Sequence, residues 1–453
     1  MQEETIAAIA TPPGSGGVAV IRISGAQARD VLQRVFSRDR FEHAKMYYGS
    51  IRKNGELLDE GMAVFFEGPK SYTGEDVAEL HCHGSLIGIQ NVLDFVFASG
   101  ARPALAGEFT KRAFLNGKMD LTQAEAVCDF ISASSQAGAR ASLRQLKGGL
   151  KNEVLLLQEE LTDLLARVTA AVEYPEEDLE YEITADALPL IGELEKKLRA
   201  LAATFDQGQI LKEGLNVAIA GKPNVGKSSL MNALLKQDRA IVSGIPGTTR
   251  DTIEQAFYIN DIRINLTDTA GIRRTDDFIE SEGIKRSENA VKSSKLAIFV
   301  LDAMSGLSAD DQNVFETLKN SEVDVLAVLN KLDSSERLSE NDAAERFPYL
   351  PILGISAKTG AGLRELRQWI YDYAMKDVSM EEGVVITNLR HKYALMEAAR
   401  QLEEARSALT LGMDMDCVTI DLNGAWMSLG EITGNTVSED IIDRVFEKFC
   451  LGK

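Results

Sequence analysis

Short apolar runs alternate with glycine-bearing turns over the first 117 residues, a pattern typical of strands joined by tight connections. Three of these runs predict strands, at residues 18–23, 61–66 and 77–83. Between them, apolar residues recur at helical spacing over residues 26–36 and 85–97. Strands and helices mixed in this way predict an α+β domain.

From Asp120 onward the apolar positions follow long helical stripes instead. Asp120 and Gln123 have the spacing of a capping box, which marks a helix start. Another helix is predicted for residues 187–206. A stripe between these two helices consists of Val154, Leu157, Leu161, Leu164, Val168 and Val172. This part of the chain is therefore expected to be helical.

Strand and helix patterns alternate again over residues 212–375, which predicts a doubly wound α/β domain with a mostly parallel sheet. The predicted strands are residues 216–220, 262–266, 296–302, 323–330 and 351–355. Helical spacing then returns in the stripe Leu389, Tyr393, Met396, Ala399, Leu402, Ala405 and Leu409. The order predicts a multidomain protein in which the α/β domain is inserted into a helical domain with halves at 118–211 and 376–453, after an α+β domain at 1–117.

Composition narrows the class of protein. The chain has 453 residues, 45% hydrophobic and 26% charged, and no run of 18 apolar residues that could span a bilayer. An acidic start without a basic, apolar leader predicts a cytoplasmic protein. The net charge of −20 argues against broad electrostatic binding of nucleic acid. Four cysteines without paired spacing indicate neither a zinc ribbon nor a disulfide framework.

The stretch Gly221-Lys222-Pro223-Asn224-Val225-Gly226-Lys227-Ser228 fits the phosphate-binding pattern G-x-x-x-x-G-K-[ST]. In such a loop, backbone N–H groups and the start of the next helix face phosphate oxygens. We expect Lys227 to reach the β- and γ-phosphates and Ser228 to reach a magnesium ion. A buried strand before the loop and a helix after it favour this interpretation over a chance glycine-rich turn.

Four further motifs follow in the order that a GTPase requires, at residues 247–251, 268–271, 330–333 and 356–358. The first supplies hydroxyls, Thr249 among them, that can complete magnesium coordination. The second supplies the Asp268 carboxylate for the magnesium shell and the Gly271 N–H for the γ-phosphate. Asp333 can accept hydrogen bonds from N1–H and the 2-amino group of guanine, which adenine lacks. Together these motifs predict GTP binding.

The predicted GTP-binding residues are Asn224, Val225, Gly226, Lys227, Ser228, Ser229, Ser243, Gly244, Ile245, Pro246, Gly247, Thr248, Thr249, Asp268, Thr269, Ala270, Gly271, Asn330, Lys331, Asp333, Ser356, Ala357 and Lys358. Ile272 stands where related switch proteins place a water-orienting glutamine, and an aliphatic side chain cannot do this. Glu280 is the candidate for that catalytic role, and the alternative is that it caps a helix beginning near Ser281. A bound monovalent cation could supply positive charge to the transition state.

Two stretches, one rich in histidine and one acidic, could each be interpreted as a metal site. In the third predicted strand, alternation places Glu79, His81 and His83 on one face, where they could bind a metal or line a pocket. The acidic run at residues 173–182 could bind a metal or form a solvated loop.

Several flanking stretches together resemble the MnmE family, also called TrmE, of bacterial tRNA-modification GTPases. The stretches are residues 11–14 (TPPG), 22–25 (RISG), 71–76 (SYTGED), 107–118 (GEFTKRAFLNGK) and 450–453 (CLGK), together with the GTPase motifs. The resemblance extends over residues 11–453, which is essentially the whole chain.

The resemblance implies an N-terminal domain similar to tetrahydrofolate-binding domains, which dimerises and binds a formyl-tetrahydrofolate-type cofactor. Arg22, Glu79, Lys118 and Lys453 would then contact the folate. Cys450 would be a nucleophile or proton-transfer group near it, and the alternative is an inert thiol at a helix end.

The resemblance also implies a potassium-activated GTPase, with the cation held by Asn224, Ser243, Ile245 and Thr248. The homodimer would act with the FAD-bearing protein MnmG, in a heterotetramer, to add a carboxymethylaminomethyl-type group to the wobble uridine of certain tRNAs. FAD would belong to the partner, because this chain has no G-x-G-x-x-G dinucleotide motif. The alternative function is a GTPase switch that binds ribosomal RNA during ribosome assembly.

Overall fold

The computed structural model describes residues 4–174, 180–236, 255–268, 290–321, 323–334, 337–376 and 383–453, without the side chains of residues 180–182 and 268. The chain divides into two compact units. The first contains Met1–Ile131, Leu143–Ala200 and Tyr393–Lys453, and the second contains Ser132–Ser142 and Leu201–Lys392. Among the described residues, no helix has the length and apolar character needed to cross a membrane.

The strands of the described residues are β1 (Ile6–Ile9), β2 (Gly16–Ser24), β3 (Met46–Lys53), β4 (Glu56–Phe66), β5 (Val77–Gly84), β6 (Arg102–Pro103), β7 (Leu215–Ala220), β8 (Gln255–Ile259), β9 (Ile262–Asp268), β10 (Leu296–Asp302), β11 (Asp324–Asn330) and β12 (Ile352–Gly354). Their helices are α1 (Ala28–Val35), α2 (Leu86–Ala98), α3 (Glu108–Leu115), α4 (Leu121–Ser132), α5 (Gln136–Leu146), α6 (Gly149–Glu173), α7 (Glu180–Ala203), α8 (Phe205–Glu213), α9 (Lys227–Lys236), α10 (Ala309–Lys319), α11 (Glu340–Arg346), α12 (Leu363–Met375), α13 (Leu389–Thr410), α14 (Met415–Thr433) and α15 (Glu439–Phe446).

The first unit is built on a sheet with the strand order β3-β4-β5-β2-β1-β6. Neighbouring strands are antiparallel except β1 and β6, which are parallel. Helices α1 and α2 pack against the sheet, and their apolar residues share a core with the inward side chains of the strands. The predicted α+β class of this segment is therefore confirmed.

Strands β1, β3 and β6 were not predicted from the sequence. Strand β1 has only four residues, two of them alanine, and β6 has two residues and contains Pro103. Strand β3 has eight residues, but Gly49 and Ser50 interrupt its apolar positions. Segments as short as β1 and β6 carry too little alternation to be distinguished from a loop. Their pairing depends on tertiary contacts, as in the parallel register of Ile6 with Arg102.

The helical part of the first unit matches the predicted stripes. The capping box is present, since the Asp120 N–H donates to Gln123 Oε1 and the Gln123 N–H donates to Asp120 Oδ1, both at 3.1 Å. Helix α6 packs along α14, where Gln158 donates to the carbonyl of Trp426 at 3.1 Å and the indole of Trp426 donates to Thr162 at 3.1 Å. The predicted helix at 187–206 differs, because α7 begins at Glu180 and contains Pro189, and α8 then continues to Glu213.

The second unit contains a sheet with the order β12-β11-β10-β7-β9-β8. All its strand pairs are parallel except β8 with β9, which form an antiparallel edge. Strands β7 and β10 are buried almost throughout, as expected for central strands covered on both faces. The predicted mostly parallel α/β arrangement is confirmed, and its loops at the carboxyl ends of β7, β10 and β11 lie at one edge of the sheet.

A network of charged side chains holds α3 in the first unit. Arg102 donates to both carboxylate oxygens of Glu108 at 2.7 and 2.9 Å, and Arg112 donates to the same carboxylate at 2.9 Å and to Glu75 at 3.1 Å. Burial by itself raises the pKa of Glu108, but these arginines and the Leu105 N–H outweigh it and lower the pKa to about 2. The carboxylate is therefore charged and paired at neutral pH.

We expect Glu108→Gln to cost about 3 kcal/mol of unfolding free energy at pH 7, because it leaves Arg102 and Arg112 without their shared anion. The folded-state pKa of Glu108 lies below the ordinary 4.5, so its contribution is complete above about pH 4.5 and is lost as the pH falls toward 2. Urea unfolding at pH 7 and pH 3 should therefore show a smaller difference from the original chain at pH 3. Exposed Glu56→Gln is the control, and an equal loss at both pH values would contradict the assignment.

Candidate functional site

The phosphate-binding loop at residues 221–228, which we call the phosphate cradle, lies between β7 and α9 in the second unit, as the sequence predicts. Gly221, Asn224 and Gly226 have φ angles of 150°, 64° and 99°, so three residues of the loop are in conformations that L side chains rarely adopt. A Cβ atom on Gly226 would lie 2.3 Å from Asn330 Nδ2. Glycine is therefore required there by a close approach as well as by its backbone angle.

Lys227 begins α9 and is 7% exposed. Its ammonium donates to the carbonyl of Gly221 at 2.6 Å and to that of Lys222 at 2.8 Å. The side chain thus folds back over the mouth of the loop, where a phosphate oxygen could replace either carbonyl as its acceptor. Ser228, the predicted magnesium ligand, follows it in the first turn of the helix and is exposed.

Asn330 connects the cradle to the next predicted motif. Its side chain is 2% exposed and donates to the carbonyl of Val225 at 2.9 Å, while its Oδ1 accepts from the Ala357 N–H at 3.0 Å. One amide group therefore fixes the phosphate loop and the Ser356–Ala357–Lys358 loop at the same time. Three motifs predicted separately from the sequence meet at this residue.

A pocket of about 190 Å³ opens beside this junction and contains the predicted guanine-binding groups. Its lining is Gly226, Ser229, Asn330, Lys331, Asp333, Ser334, Ala357 and Lys358. Ser356 donates to Asp333 at 2.6 Å, and this hydrogen bond is the main reason that the pKa of Asp333 lies below its ordinary value. The Asp333 carboxylate is therefore an ionised acceptor with its direction fixed, as recognition of guanine N1–H and the 2-amino group requires.

Lys331 holds the cradle from the other side. It has a φ of 72° and donates to the carbonyl of Asn224 and to Asp302, both at 2.8 Å. Burial raises the pKa of Asp302, but the hydrogen bond from Lys331 outweighs it and leaves the pKa below the ordinary value. The ammonium–carboxylate pair therefore ties the end of β10 to the middle of the phosphate loop.

Part of the predicted site lies outside the described residues. This applies to residues 175–179 of the acidic run and to Ser243, Gly244, Ile245, Pro246, Gly247, Thr248, Thr249, Thr269, Ala270, Gly271 and Glu280. Asp268 ends β9, and its side chain is not described. Their predicted roles stay predictions.

Two charged residues beside the cradle were missed by the sequence analysis. The sequence motifs assign no role to the Lys222 side chain or to Asp311, but these side chains are 2.8 Å apart and only 13% and 1% exposed. The spacing of Ser308 and Asp311 was the available signal, because it is that of a capping box, and the structure contains that box.

A second cluster, in the first unit, brings together predicted folate-binding residues. Arg22 donates to Glu79 at 3.0 Å, and the other oxygen of Glu79 is 3.3 Å from His81 Nε2. The guanidinium of Arg22 lies over the rings of Tyr72 and Phe109, 5.0 and 5.8 Å from their centroids. Glu79 and His81 face the same side of β5, as the alternation predicts.

The last residues of the chain approach the same cluster. The backbone carbonyl of Lys453 accepts from the Phe109 N–H at 3.2 Å, and a Cβ on Gly452 would lie 2.2 Å from the carbonyl of Ile9. Burial, and then the charge of Arg22, lower the pKa of Lys453. Cys450 is exposed and close enough to affect that pKa.

Lys118, the fourth predicted folate residue, contacts the loop that carries Tyr72. Its ammonium donates to the carbonyl of Pro69 at 2.9 Å, and its side chain packs beside Gly74. The structure therefore places Arg22, Glu79 and Lys453 in one charged cluster and connects Lys118 to it through one loop.

The histidine-rich strand forms ion pairs among the described residues. His83 bonds to Asp59 at 2.7 Å, and this contact raises the pKa of His83. Between the two histidines, Cys82 points into the core, and burial raises the pKa of its thiol to about 12. No group of three or more His, Cys, Asp or Glu side chains within the described part of the chain is arranged to hold a metal ion.

Models of two protein families match this chain. The model of the MnmE helical domain matches residues 121–450, and that of the N-terminus of the GTP-binding protein TrmE matches residues 5–118. The two matches together include the residues of both clusters except Lys453.

Curated relatives match over the full length. The tRNA modification GTPase MnmE of Clostridioides difficile is 42% identical over 458 residues, which cover 100% of this chain and 99% of the relative. The proteins of the same name from Alkaliphilus metalliredigens and Syntrophus aciditrophicus are each 41% identical, covering 100% of this chain and 99% and 100% of theirs. A solved structure of Era from Aquifex aeolicus with GDP and AlF4- is 29% identical over 41% of this chain and 65% of that one, with a TM-score of 0.29, which is too low to support an inference.

We predict that Asp333→Asn changes base preference from guanine to xanthine. The amide would still accept from N1–H but would present a donor to position 2, where xanthine carries a carbonyl and guanine an amino group. Guanine nucleotide affinity should fall on the order of 100-fold while xanthine nucleotide affinity rises, measured by equilibrium binding of GDP and XDP.

The matched control for this exchange is Asp372→Asn, on the exposed face of α12, which should bind GDP as the original chain does. A retained preference for GDP in Asp333→Asn would contradict the role of Asp333 as the acceptor for guanine.

Proposed function

Because this chain belongs to the MnmE family of tRNA modification GTPases, we propose that it hydrolyses GTP and that hydrolysis serves the modification of tRNA. The observation that carries the proposal is the match to MnmE relatives over the whole length of the chain. This match includes the sequence on both sides of the GTPase motifs as well as the motifs themselves. The joined phosphate cradle and base pocket support it, because they bring a lysine, a carboxylate and strained loop backbone together at one edge of a parallel sheet.

In the proposed site, Lys227 moves from its loop carbonyls to the β- and γ-phosphates, and Ser228 and Thr249 bind the magnesium ion that the phosphates require. Asp333 accepts from the guanine base while Asn330 keeps the two loops in register. Glu280 orients the attacking water, a task that Ile272 cannot perform.

We further propose that potassium activates hydrolysis. Asn224 is exposed at the turn of the cradle, and its side-chain amide oxygen is a neutral oxygen ligand of the kind that suits a cation. Ser243, Ile245 and Thr248 would complete the coordination. A cation beside the phosphates would offset the negative charge that develops in the transition state.

The charged cluster around Arg22 is the proposed site of a formyl-tetrahydrofolate-type cofactor, with Arg22, Glu79, Lys118 and Lys453 as its contacts. The juxtaposition of two cations, a carboxylate and the ring of Tyr72 supports this assignment, because a folate offers a planar ring and carboxylates. Cys450 would act near this cofactor.

The proposed assembly is a cytoplasmic homodimer that works with MnmG, which supplies FAD, in a heterotetramer. Together they would add a carboxymethylaminomethyl-type group to the wobble uridine of certain tRNAs. The acidic balance of the chain, with a net charge of −20, fits a division of labour in which the partner makes much of the contact to RNA.

We expect tRNA from cells that lack this chain to carry unmodified wobble uridines. Nucleoside analysis by mass spectrometry measures this directly. The original chain should restore modification, and Lys227→Ala should not, since it removes the cation that reaches the phosphates. Glu56→Gln, far in sequence from every predicted motif of the GTPase, is the positive control. Fully modified uridines in the deleted strain would overturn the proposal.

We expect GTP turnover to fall at least about tenfold when sodium replaces potassium, because the smaller ion does not suit the same ligands. Asn224→Ala should turn over GTP slowly in both salts while keeping its GDP affinity. Equal turnover of the original chain in the two salts would argue against potassium activation. A salt effect that persists in Asn224→Ala would show that Asn224 is not a ligand of the cation.

A further inference from the structure

Lys222 is the second residue of the phosphate cradle, and its side chain points away from the loop toward α10. Its ammonium is 2.8 Å from Asp311 Oδ2, 3.2 Å from Ser308 Oγ and 3.4 Å from the carbonyl of Gly306. The side chains of Lys222 and Asp311 are only 13% and 1% exposed. This ion pair is therefore shielded from the solvent that weakens surface pairs.

Asp311 is held in place by the start of its own helix. Its Oδ2 accepts from the N–H and the hydroxyl of Ser308, at 2.9 and 2.7 Å, in the capping box of α10. Its other oxygen is buried and accepts no hydrogen bond from the described residues. The charge of Asp311 is therefore balanced chiefly by Lys222.

The backbone of Lys222 faces the opposite way, into the site. Its carbonyl accepts from the ammonium of Lys227 at 2.8 Å, beside the carbonyl of Gly221. One residue thus joins the capped end of α10 to the lysine that is proposed to bind phosphates. Any shift of residue 222 moves an acceptor that positions Lys227 in the nucleotide-free site.

We propose that the buried Lys222–Asp311 pair positions the phosphate cradle for nucleotide, by holding the first part of the loop in its binding conformation before nucleotide arrives. This inference rests on the proposed GTP binding and names two positioning residues for it. A loop that is already in its binding conformation loses less conformational entropy when nucleotide binds, so the affinity for nucleotide is higher.

The pair is expected to affect KM more than kcat. Once nucleotide fills the cradle, its phosphates make enough contacts with the loop to impose the same conformation. Lys222→Met should therefore raise the KM for GTP and the dissociation constant of GDP roughly tenfold, while turnover at saturating GTP changes much less. Lys222→Arg keeps the charge and should keep both values near those of the original chain.

Lys222→Met leaves a buried carboxylate without its partner and could reduce folding, so a second variant is needed. The double variant Lys222→Met, Asp311→Leu replaces the pair by apolar groups of similar size, an exchange that is often tolerated. It should fold and still show the raised KM. Lys295→Met removes the lysine of a more exposed Lys–Asp pair in the same unit and serves as the control with unchanged KM.

The outcomes separate the two proposals. If the original chain neither binds nor hydrolyses GTP, the proposed function fails and this inference with it. If it hydrolyses GTP but the folded double variant keeps the original KM, only the positioning role is overturned. A raised KM with rescue by Lys222→Arg supports it, and an equal rise in Lys295→Met would show a general effect of charge removal and overturn it.

Discussion

The nucleotide site of the second unit depends on one buried amide group. The side chain of Asn330 donates to the carbonyl of Val225 and accepts from the N–H of Ala357, so it fills the space between two loops that approach from different strands. Gly226 must lack a side chain for this contact to exist. An amide suits the position because it alone among the small side chains offers a strong donor and a strong acceptor at a fixed separation. The separation of the two loops is therefore fixed by the rigid amide group of Asn330 and its two hydrogen bonds.

In the first unit, the comparable connection between elements is made by ion pairs instead of an amide group. The carboxylate of Glu108 sits between Arg102 and Arg112, and Arg112 also binds Glu75. These residues belong largely to the stretches through which the sequence resembles the MnmE family, yet their contacts are with one another. In the neighbouring cluster of Arg22, Glu79 and Lys453, burial and then the charge of Arg22 lower the pKa of the lysine, while Glu79 pairs with Arg22.

Much of both units could be predicted from the sequence, for a physical reason. The central strands β7, β10 and β11 are continuous apolar runs, and α6 and α13 carry long stripes, so each element is specified by its own residues. Strands β1 and β6 are specified by their neighbours instead, and no local pattern reveals them.

The same distinction applies to the site. Lys227, Asn330 and Asp333 belong to motifs whose spacing reflects one ligand, so they were predicted, and the structure brings them together. The Lys222–Asp311 pair joins residues 89 positions apart, and neither residue type signals burial. Its existence depends on how α10 packs after β10, which the sequence does not state locally. Residues 243–249, 269–271 and 280 lie outside the described residues, and their roles stay predictions.

The buried thiol of Cys82 has a practical consequence for chemical labelling. With its pKa raised to about 12, the thiol is almost entirely protonated at neutral pH, and its position in the core of the sheet denies access to reagents. Cys450, in contrast, is exposed beside Lys453. A maleimide dye added to the folded chain would thus leave Cys82 unmodified, so any label would be on Cys450 or on the partly exposed Cys128 and Cys417.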